Sequence, residues 1–239
     1  QLERLRRTRE VLANCNRALM HASDEAAMLA EVCRIAVDCG GFKQAWIGLV
    51  TGEPLRPVYV AAHAGYGNDA PPMLSPKVWA ADGSYRGKMA RVVANGEPCI
   101  ERDIFGDPRC IDQRQHARHF GWGSSLTVPL AAEGRILGAI EFNAREVDAF
   151  DGDEIAMLGE LAADLSFGIS ALRTRLAREQ AEAQAREHER RYQETFDQAA
   201  MGIVHTSLDD RYLKVNRRFC AMLGYTEDEV VGTQFVTWV

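Results

Sequence analysis

Cysteine and histidine carry the most versatile chemistry in this sequence, since they act as nucleophiles, redox groups and metal ligands. The chain has six cysteines in 239 residues, dispersed and without a C-x-x-C pair. Cys110, His116 and His119 lie within ten residues of one another, but their spacing matches no familiar zinc motif. The pattern predicts free thiols in a reducing compartment, with neither a disulfide framework nor a bound metal.

The sequence lacks the local motifs that mark several common catalytic sites. It has no G-x-x-x-x-G-K-[ST] phosphate loop and no G-x-S-x-G nucleophile turn. His188 lies in a run of Arg and Glu residues without the motif expected around a phospho-acceptor histidine, so we interpret it as a solvated helix residue. The chain itself is therefore expected not to be an enzyme, and no catalytic residue is predicted.

Charge and hydropathy exclude several kinds of partner. The net charge is −6, whereas a nucleic-acid surface needs a basic domain or stripe. No apolar run approaches the roughly 20 residues that span a membrane, and residues 1–10 lack the apolar segment of a signal peptide. These features predict a cytoplasmic protein with no membrane span. The missing initiator Met suggests a piece of a longer chain.

Apolar periodicity predicts an α+β domain, with helices at both ends and a multi-stranded sheet between them. Ser23 or Asp24 is placed to cap the second helix, which Gly40 ends. Glu133 and Gly134 predict a hairpin turn. Helices are predicted at 2–20, 24–39, 84–94 and 111–120, and strands at 45–50, 58–63, 99–101, 126–130 and 136–142.

A long helix is predicted from Asp151 onward, because Asp151 and Glu154 have the spacing of a capping box. Apolar residues then recur at alternating intervals of three and four, which fits a coiled coil and also a helix packed on its own sheet. We interpret this stripe and that of the first helix as the interface of a parallel homodimer, with Leu172 and Leu176 beyond the domain core. The predicted interface residues are Leu5, Leu12, Leu19, Ile155, Leu158, Leu165, Ile169, Leu172 and Leu176.

Four runs resemble the second half of a GAF domain: D-I-F-G-D-P at 103–108, S-L-T-V-P-L at 125–130, G-A-I-E-F at 138–142 and F-D-G-D-E at 150–154. The resemblance covers roughly residues 23–172. It implies an antiparallel sheet flanked by helices, with a small molecule held between the sheet and the helices and loops over it.

The same resemblance implies candidate residues for the ligand pocket, although each aromatic among them could equally be an ordinary core residue. Strand alternation places Thr127 and Val128 on opposite faces of the sheet, and either face could be the pocket. A covalent bilin is not expected, because Asp112 and Gln113 stand nearest the usual position of the Cys-His pair that binds it. The candidate ligand-binding residues are Trp46, Trp79, Tyr85, Phe105, Trp122, Thr127 and Glu141.

The last segment resembles the start of a PAS domain through E-T-F-D-Q-A-A-M-G-I at 194–203 and V-N-R-R-F-C-A-M-L-G-Y at 215–225. About 45 residues bury too little for an independent domain, so an incomplete PAS-like α/β segment is expected. The predicted organisation is an N-terminal helix at 1–22, a GAF-like domain at 23–172, a charged helical linker at 173–195 and the PAS-like segment at 196–239.

Three functions follow from these observations. GAF–PAS tandems lie upstream of the output domain in bacterial sensor histidine kinases and cyclic-di-GMP enzymes, which implies a small-molecule sensor that relays its state through a dimeric helix to an output domain of the same polypeptide. A GAF domain that binds nothing and serves as a dimerisation scaffold is the alternative. A redox enzyme on the same fold, like free-standing GAF enzymes that reduce methionine sulfoxide, is less consistent with the unpaired cysteines. The ligand's identity is not predicted.

Overall fold

The computed structural model describes residues 2–51, 58–67 and 87–234, with side chains from residue 9 onward. Its secondary structure is that of an α+β fold, as predicted. The elements are α1 Leu2–His21, α2 Glu25–Asp38, β1 Gln44–Val50, β2 Val58–Ala64, α3 Lys88–Asn95, β3 Cys99–Glu101, a 3-10 helix Pro108–Gln113, α4 Arg114–Phe120, β4 Ser124–Ala132, β5 Arg135–Ala144, α5 Gly152–Gln198, β6 Val204–Thr206, β7 Tyr212–Val215, α6 Arg217–Leu223 and α7 Glu227–Val230.

Strands β1 to β5 form one sheet in the order β2-β1-β5-β4-β3, and every neighbouring pair is antiparallel. The predicted hairpin joins β4 to β5 through Glu133 and Gly134, whose φ angles are 53° and 73°. Two consecutive positive φ angles are what a tight two-residue hairpin turn requires. The antiparallel sheet and its central hairpin are therefore as the sequence predicts.

One face of this sheet is apolar and packs against α2 and α5. Leu126 and Val128 of β4 and Ile140 and Phe142 of β5 belong to one buried cluster with residues of those helices. The Phe42 and Phe142 rings lie 5.2 Å apart. Burial of this face is the main source of the domain's stability, at roughly 25 cal/mol per Å² of apolar surface removed from water.

Helix α5 contributes its apolar stripe to the same cluster, which corrects the prediction made for it. Leu158, Leu165 and Ile169 are fully buried, and Leu172 is 7% exposed. Leu172 thus lies in the domain core and not beyond it. A three-four spacing fits a helix on its own sheet as well as a coiled coil. Here the stripe packs against the sheet of the same domain.

The other predicted interface residues divide between the core and the surface. Leu12, Leu19 and Ile155 are half-buried against the same cluster, whereas Leu176 is 40% exposed. The side chain of Leu5 lies outside the described residues. Homodimerisation itself stays a prediction, but the fully buried Leu158, Leu165 and Ile169 are not available to a second chain.

Helix α5 contains one 18-residue window with a mean hydropathy of 1.5, which is apolar enough to cross a membrane. Several of its apolar side chains, including Leu161 and Leu165, are buried in the domain core, whereas Phe167 is 74% exposed. Their hydrophobicity is thereby explained by packing. The second half of the helix is charged and carries exposed ion pairs, such as Glu187–Arg191 at 2.7 Å, which contribute only a few tenths of a kcal/mol each.

Residues 175–239 form a separate compact unit. Its small apolar cluster contains Tyr212, Val215 and Val230. Thr226 and Glu229 form a capping box at the start of α7. The unit therefore has the strand–helix order that the sequence predicts for the start of a PAS domain.

Asn216 organises this second unit. Its Oδ1 accepts hydrogen bonds from the backbone N–H groups of Ile203 and Phe219, both at 2.9 Å. Its Nδ2 donates to the carbonyl oxygens of Phe196 at 2.8 Å and Met201 at 3.0 Å. This fully buried side chain thus joins the end of α5 to the strands and to α6, with all four hydrogen-bonding positions used.

Candidate functional site

The second face of the five-stranded sheet carries polar side chains. Cross-strand pairing aligns two rows of residues on β1, β5, β4 and β3, and the rows lie two positions apart along each strand. Side chains two positions apart share a face of a sheet, so both rows project away from the apolar core. The first row is Trp46, Glu141, Thr127 and Cys99, and the second is Gln44, Asn143, Ser125 and Glu101.

A buried lysine lies at the centre of this polar face. Lys88, the first residue of α3, places its Nζ 2.9 Å from Glu101 Oε2 and 3.0 Å from Glu141 Oε1. It also donates to Ser125 Oγ at 2.6 Å. Lys88, Glu101 and Glu141 are 7%, 8% and 4% exposed. The polar face therefore contains one ammonium group between two carboxylates, nearly excluded from solvent.

The two carboxylates differ in how well they are hydrogen-bonded. Besides Lys88, Glu101 accepts from Ser125 Oγ at 2.9 Å and from Gln113 Nε2 at 2.8 Å. Among the described residues, Glu141 Oε2 has only Thr127 Oγ1 as a hydrogen-bond partner, at 3.4 Å, well beyond the 2.7–2.8 Å typical of an O–H···O bond. Among the described residues, both carboxylate oxygens of Glu101 thus have close hydrogen-bond donors, whereas only one oxygen of Glu141 does.

Electrostatics keeps the Lys88–Glu101 pair ionised. Burial would lower the pKa of Lys88, but the carboxylates of Glu141 and Glu101 outweigh it and raise that pKa. Burial would raise the pKa of Glu101, but the Lys88 ammonium outweighs it and lowers that pKa. Each partner thus stabilises the charged form of the other at neutral pH.

Several buried polar atoms around this cluster have no hydrogen-bond partner among the described residues. They are side-chain atoms of the sheet face and of the segments that cover it: Gln44 Nε2, Asn143 Oδ1, Gln113 Oε1, His116 Nε2 and Trp122 Nε1. Gln44 and Asn143 already share one amide–amide hydrogen bond of 3.5 Å. Whichever way the two amides are turned, one amide nitrogen and one amide oxygen stay unpaired.

An apolar and aromatic wall borders the polar face. Trp46, Tyr66, Met89 and Val92 belong to one buried cluster, with Phe120 packed against it. Burial, followed by the Glu141 carboxylate, raises the pKa of Tyr66, which keeps its phenol protonated. The wall excludes water from the carboxylates, so electrostatic interactions at the site are strong.

The structure brings three of the predicted ligand-binding residues together and separates others. Trp122, Thr127 and Glu141 surround Lys88, whose Nζ lies 5.2 Å from the centre of the Trp122 ring. Trp46 is on the same face, within the aromatic wall. Phe105 is exposed, 5.8 Å from the guanidinium of Arg118, and does not reach the cluster. Trp79 and Tyr85 lie outside the described residues.

Sequence reasoning missed Lys88, Glu101, Ser125 and Gln113. Polar residues that alternate with apolar ones on a strand are normally exposed, so the alternating run Ser125-Leu126-Thr127-Val128 does not indicate that Ser125 and Thr127 are buried. Only the cross-strand register reveals that Glu101 lies beside Ser125 and Glu141 beside Thr127. The one available signal was Glu141, a charged residue within the apolar run G-A-I-E-F.

An antiparallel sheet with helices over both faces defines the class of this domain. The chain belongs to the GAF domain family, whose model matches residues 22–170, more than half of the sequence. The model of a PAS domain matches residues 190–238. A GAF domain, a long helix and a PAS domain together form a sensory-type architecture.

Solved structures share the fold of the GAF domain. Free methionine-R-sulfoxide reductase from Neisseria meningitidis, in complex with its substrate, has a TM-score of 0.54 and 22% identity, over 70% of this chain and 90% of that chain. The GAF domain of a phosphoenolpyruvate-protein phosphotransferase from Coxiella burnetii has a TM-score of 0.56 and 16% identity, over 72% and 98%. The A. aeolicus nlh2 GAF domain has a TM-score of 0.52 and 14% identity, over 69% and 96%. No curated protein matches the sequence.

Proposed function

We propose that this chain is the sensory input region of a cytoplasmic bacterial signalling protein. Its GAF domain binds a small molecule on the polar face of the sheet, and α5 relays the bound state toward an output domain of the same polypeptide, such as a histidine kinase or a cyclic-di-GMP enzyme. The observation that carries the proposal is the group of buried, unpaired polar atoms around Lys88, Glu101 and Glu141.

Such a face is costly for a domain that only needs to fold. Each buried polar atom without a partner costs about 1–3 kcal/mol. Gln44 Nε2, Gln113 Oε1 and Trp122 Nε1 are all in that state. A bound molecule that supplies their partners recovers part of this cost, and this couples ligand binding to the stability of the domain.

A redox enzyme on the same fold is less consistent with the environment of the Cys110 thiol. Cys110 is buried, and burial, followed by the carboxylates of Glu101 and Asp107, raises its pKa to about 11. The reactive form of cysteine is the thiolate, so this side chain is protonated at neutral pH and a poor nucleophile. We therefore favour sensing over catalysis for this chain.

Relay through a homodimer is the second part of the proposal, and it requires a surface other than the buried stripe. The opposite side of α5 carries Phe167, which is 74% exposed, between the exposed small residues Ala163 and Ala171. On α1, Met20 is 80% exposed, and the two helices approach closely where Leu19 meets Gly168. We propose that a second copy of this chain packs against this face.

Native mass spectrometry of the purified chain tests ligand binding. We expect an additional small-molecule mass that is released on denaturation, and less of it in Asn143→Leu, which removes polar atoms from the site. Ser166→Ala is the matched control, because Ser166 is equally buried but bonds to Ala162 O within α5. A chain that carries no small molecule and gains none from a metabolite extract supports the scaffold function instead.

Sedimentation tests the relay surface. Phe167→Glu should shift the chain toward monomer at tens of micromolar, whereas Ile111→Glu, an equally drastic change at an exposed apolar residue of the 3-10 helix, should not. A wild type that is monomeric under these conditions would remove the dimer from the proposal.

A further inference from the structure

The buried ionisable side chains of the polar face do not balance in charge. Lys88 contributes one positive charge, and Glu101 and Glu141 contribute two negative charges, with all three nearly excluded from solvent. Among the described residues, Lys88 is the only cation in contact with either carboxylate. A formal charge of −1 thus lies in a region where an uncompensated charge is costly.

The hydrogen-bond geometry assigns the excess negative charge to Glu141. Glu101 accepts hydrogen bonds from Lys88, Ser125 and Gln113 at 2.8–2.9 Å. Glu141 has Lys88 on one oxygen and only the 3.4 Å contact with Thr127 on the other. Among the described residues, Glu141 Oε2 therefore has no strong hydrogen-bond donor.

An anion is poorly suited to this face because the lysine is already used. The three N–H bonds of an ammonium group have three acceptors here, Glu101 Oε2, Ser125 Oγ and Glu141 Oε1, all within 3.0 Å. An incoming anion would meet the two carboxylates without a free donor from Lys88.

The unpaired neutral atoms define the rest of the complementary group. Gln113 Oε1 and one amide oxygen of the Gln44–Asn143 pair are acceptors without donors. Trp122 Nε1 and the remaining amide nitrogen are donors without acceptors. A ligand that matches this set offers several donors, as an ammonium group does, and at least one acceptor, such as a hydroxyl or carbonyl oxygen.

We infer that the ligand of this GAF domain is a small organic amine that carries an ammonium group beside a hydrogen-bond acceptor, and that Glu141 Oε2 binds the ammonium group. The inference rests on the proposed ligand-binding function and specifies the ligand's chemical class. The amine brings the buried charge to zero, and its acceptor oxygen takes one of the unpaired N–H groups.

Three two-carbon probes separate charge from shape. Ethanolamine has an ammonium and a hydroxyl group, ethylene glycol is its neutral analogue, and glycolate is its anionic analogue. We expect ethanolamine to raise the melting temperature of the full chain in proportion to its occupancy, at constant ionic strength, and the other two probes to have no comparable effect. Saturation-transfer NMR on the same samples reports direct contact with the protein.

Glu141→Gln identifies the residue that binds the amine. It keeps the side-chain shape, removes the excess charge and should weaken ethanolamine binding by about tenfold or more, which corresponds to at least one charge-assisted hydrogen bond. Glu160→Gln, at an exposed position of α5, makes the same change in net charge and should leave binding unchanged. The melting temperatures of both variants without probe show that each is folded.

The outcomes distinguish this inference from the function beneath it. Stronger binding of ethanolamine than of the other probes, lost in Glu141→Gln, supports the inference. Equal binding of ethanolamine and ethylene glycol, preference for glycolate, or unchanged binding by Glu141→Gln overturns it. If the chain nevertheless releases a neutral or anionic small molecule on denaturation, the sensor function stands and only the amine class is wrong. If none of the three probes binds and the chain releases no small molecule on denaturation, both the amine inference and the sensor function fail.

Discussion

The two faces of the five-stranded sheet are built from the same strands and have opposite chemistry. On one face, Leu126, Val128 and Phe142 are buried among apolar residues of α2 and α5. On the other, Thr127 and Glu141 are equally buried but are joined by a long hydrogen bond of 3.4 Å. Since neighbouring residues of one strand differ this much, the difference reflects what each face contacts and not the local conformation.

The comparison separates the face that stabilises the domain through apolar burial from the face that we propose binds a ligand. The apolar face gains free energy from burial and packing alone. The polar face is stabilised by the Lys88–Glu101 pair but retains unmet hydrogen bonds, which reduce stability unless a ligand supplies them. Substitutions on the first face should therefore change folding, and substitutions on the second should change folding only where they break the ion pair.

Leu172→Glu should have the largest effect, because it places a carboxylate in the apolar cluster. We expect the free energy of unfolding to fall by at least about 3 kcal/mol, measured by urea unfolding with tryptophan fluorescence. Leu176→Glu, one turn further along α5 and 40% exposed, should change it by less than about 0.5 kcal/mol. Equal effects of the two substitutions would show that α5 leaves the core before Leu172.

Lys88→Met should have the next largest effect, about 3–5 kcal/mol at neutral pH, because it leaves Glu101 and Glu141 buried without a cation. The loss should shrink in acid, because Glu101, whose pKa Lys88 lowers in the wild type, becomes protonated there once the cation is removed. Urea unfolding at pH 7 and pH 4 measures both. A variant as stable as wild type at pH 7 would mean that the ion pair adds nothing to folding.

Glu101→Gln should destabilise the domain more than Glu141→Gln, although both remove one carboxylate from Lys88. Glu101 also accepts from Ser125 and Gln113, so its replacement should cost about 2–3 kcal/mol, typical of hydrogen bonds to a charged group. Glu141→Gln should cost about 1 kcal/mol or less, because its second oxygen has only the long contact with Thr127. A reversed order would contradict the assignment of the excess charge to Glu141.

The pH dependence of the Glu101→Gln effect follows from the lowered pKa of Glu101. Because Lys88 holds that pKa below the ordinary value of 4.5, the stability that Glu101 contributes is fully present above pH 4.5. It is lost as the pH falls through the folded-state pKa. The gap in stability between wild type and Glu101→Gln should therefore be constant from about pH 5 to 8 and narrow below pH 4.5.

Local rules predicted most of the fold, and tertiary context decided what they missed. The hairpin at Glu133-Gly134, the Asp24 and Asp151 helix caps and the Thr226 capping box depend on a few adjacent residues. The surface against which the apolar stripe of α5 packs does not depend on adjacent residues, because the sheet and a second helix offer equally good apolar surfaces. Ile169 therefore packs inside the domain, where sequence reasoning placed it between two chains.

The candidate site was predictable only in part, for the same reason. Thr127 and Glu141 were identified from motifs within single strands, and Trp122 from its place beside one of them. Lys88 and Glu101 become a site only when β3, α3 and β5 meet, which no spacing in the sequence encodes.

The smallest effects come from a reciprocal pair of substitutions on adjacent residues of β4. Thr127→Val removes a buried hydroxyl whose one contact here, to Glu141, is 3.4 Å long, so the free energy of unfolding should change by less than about 1 kcal/mol. Val128→Thr makes the opposite change on the apolar face, within the buried apolar cluster, and should cost about 1–3 kcal/mol. Both residues are β-branched, so strand propensity is nearly constant and the environment of each face is what the pair measures.

Urea unfolding of the two variants and the double variant gives the comparison, and the two effects should add, because the side chains point to opposite faces. Equal losses for both substitutions would mean that the two faces do not differ in the way that ligand binding on the polar face requires.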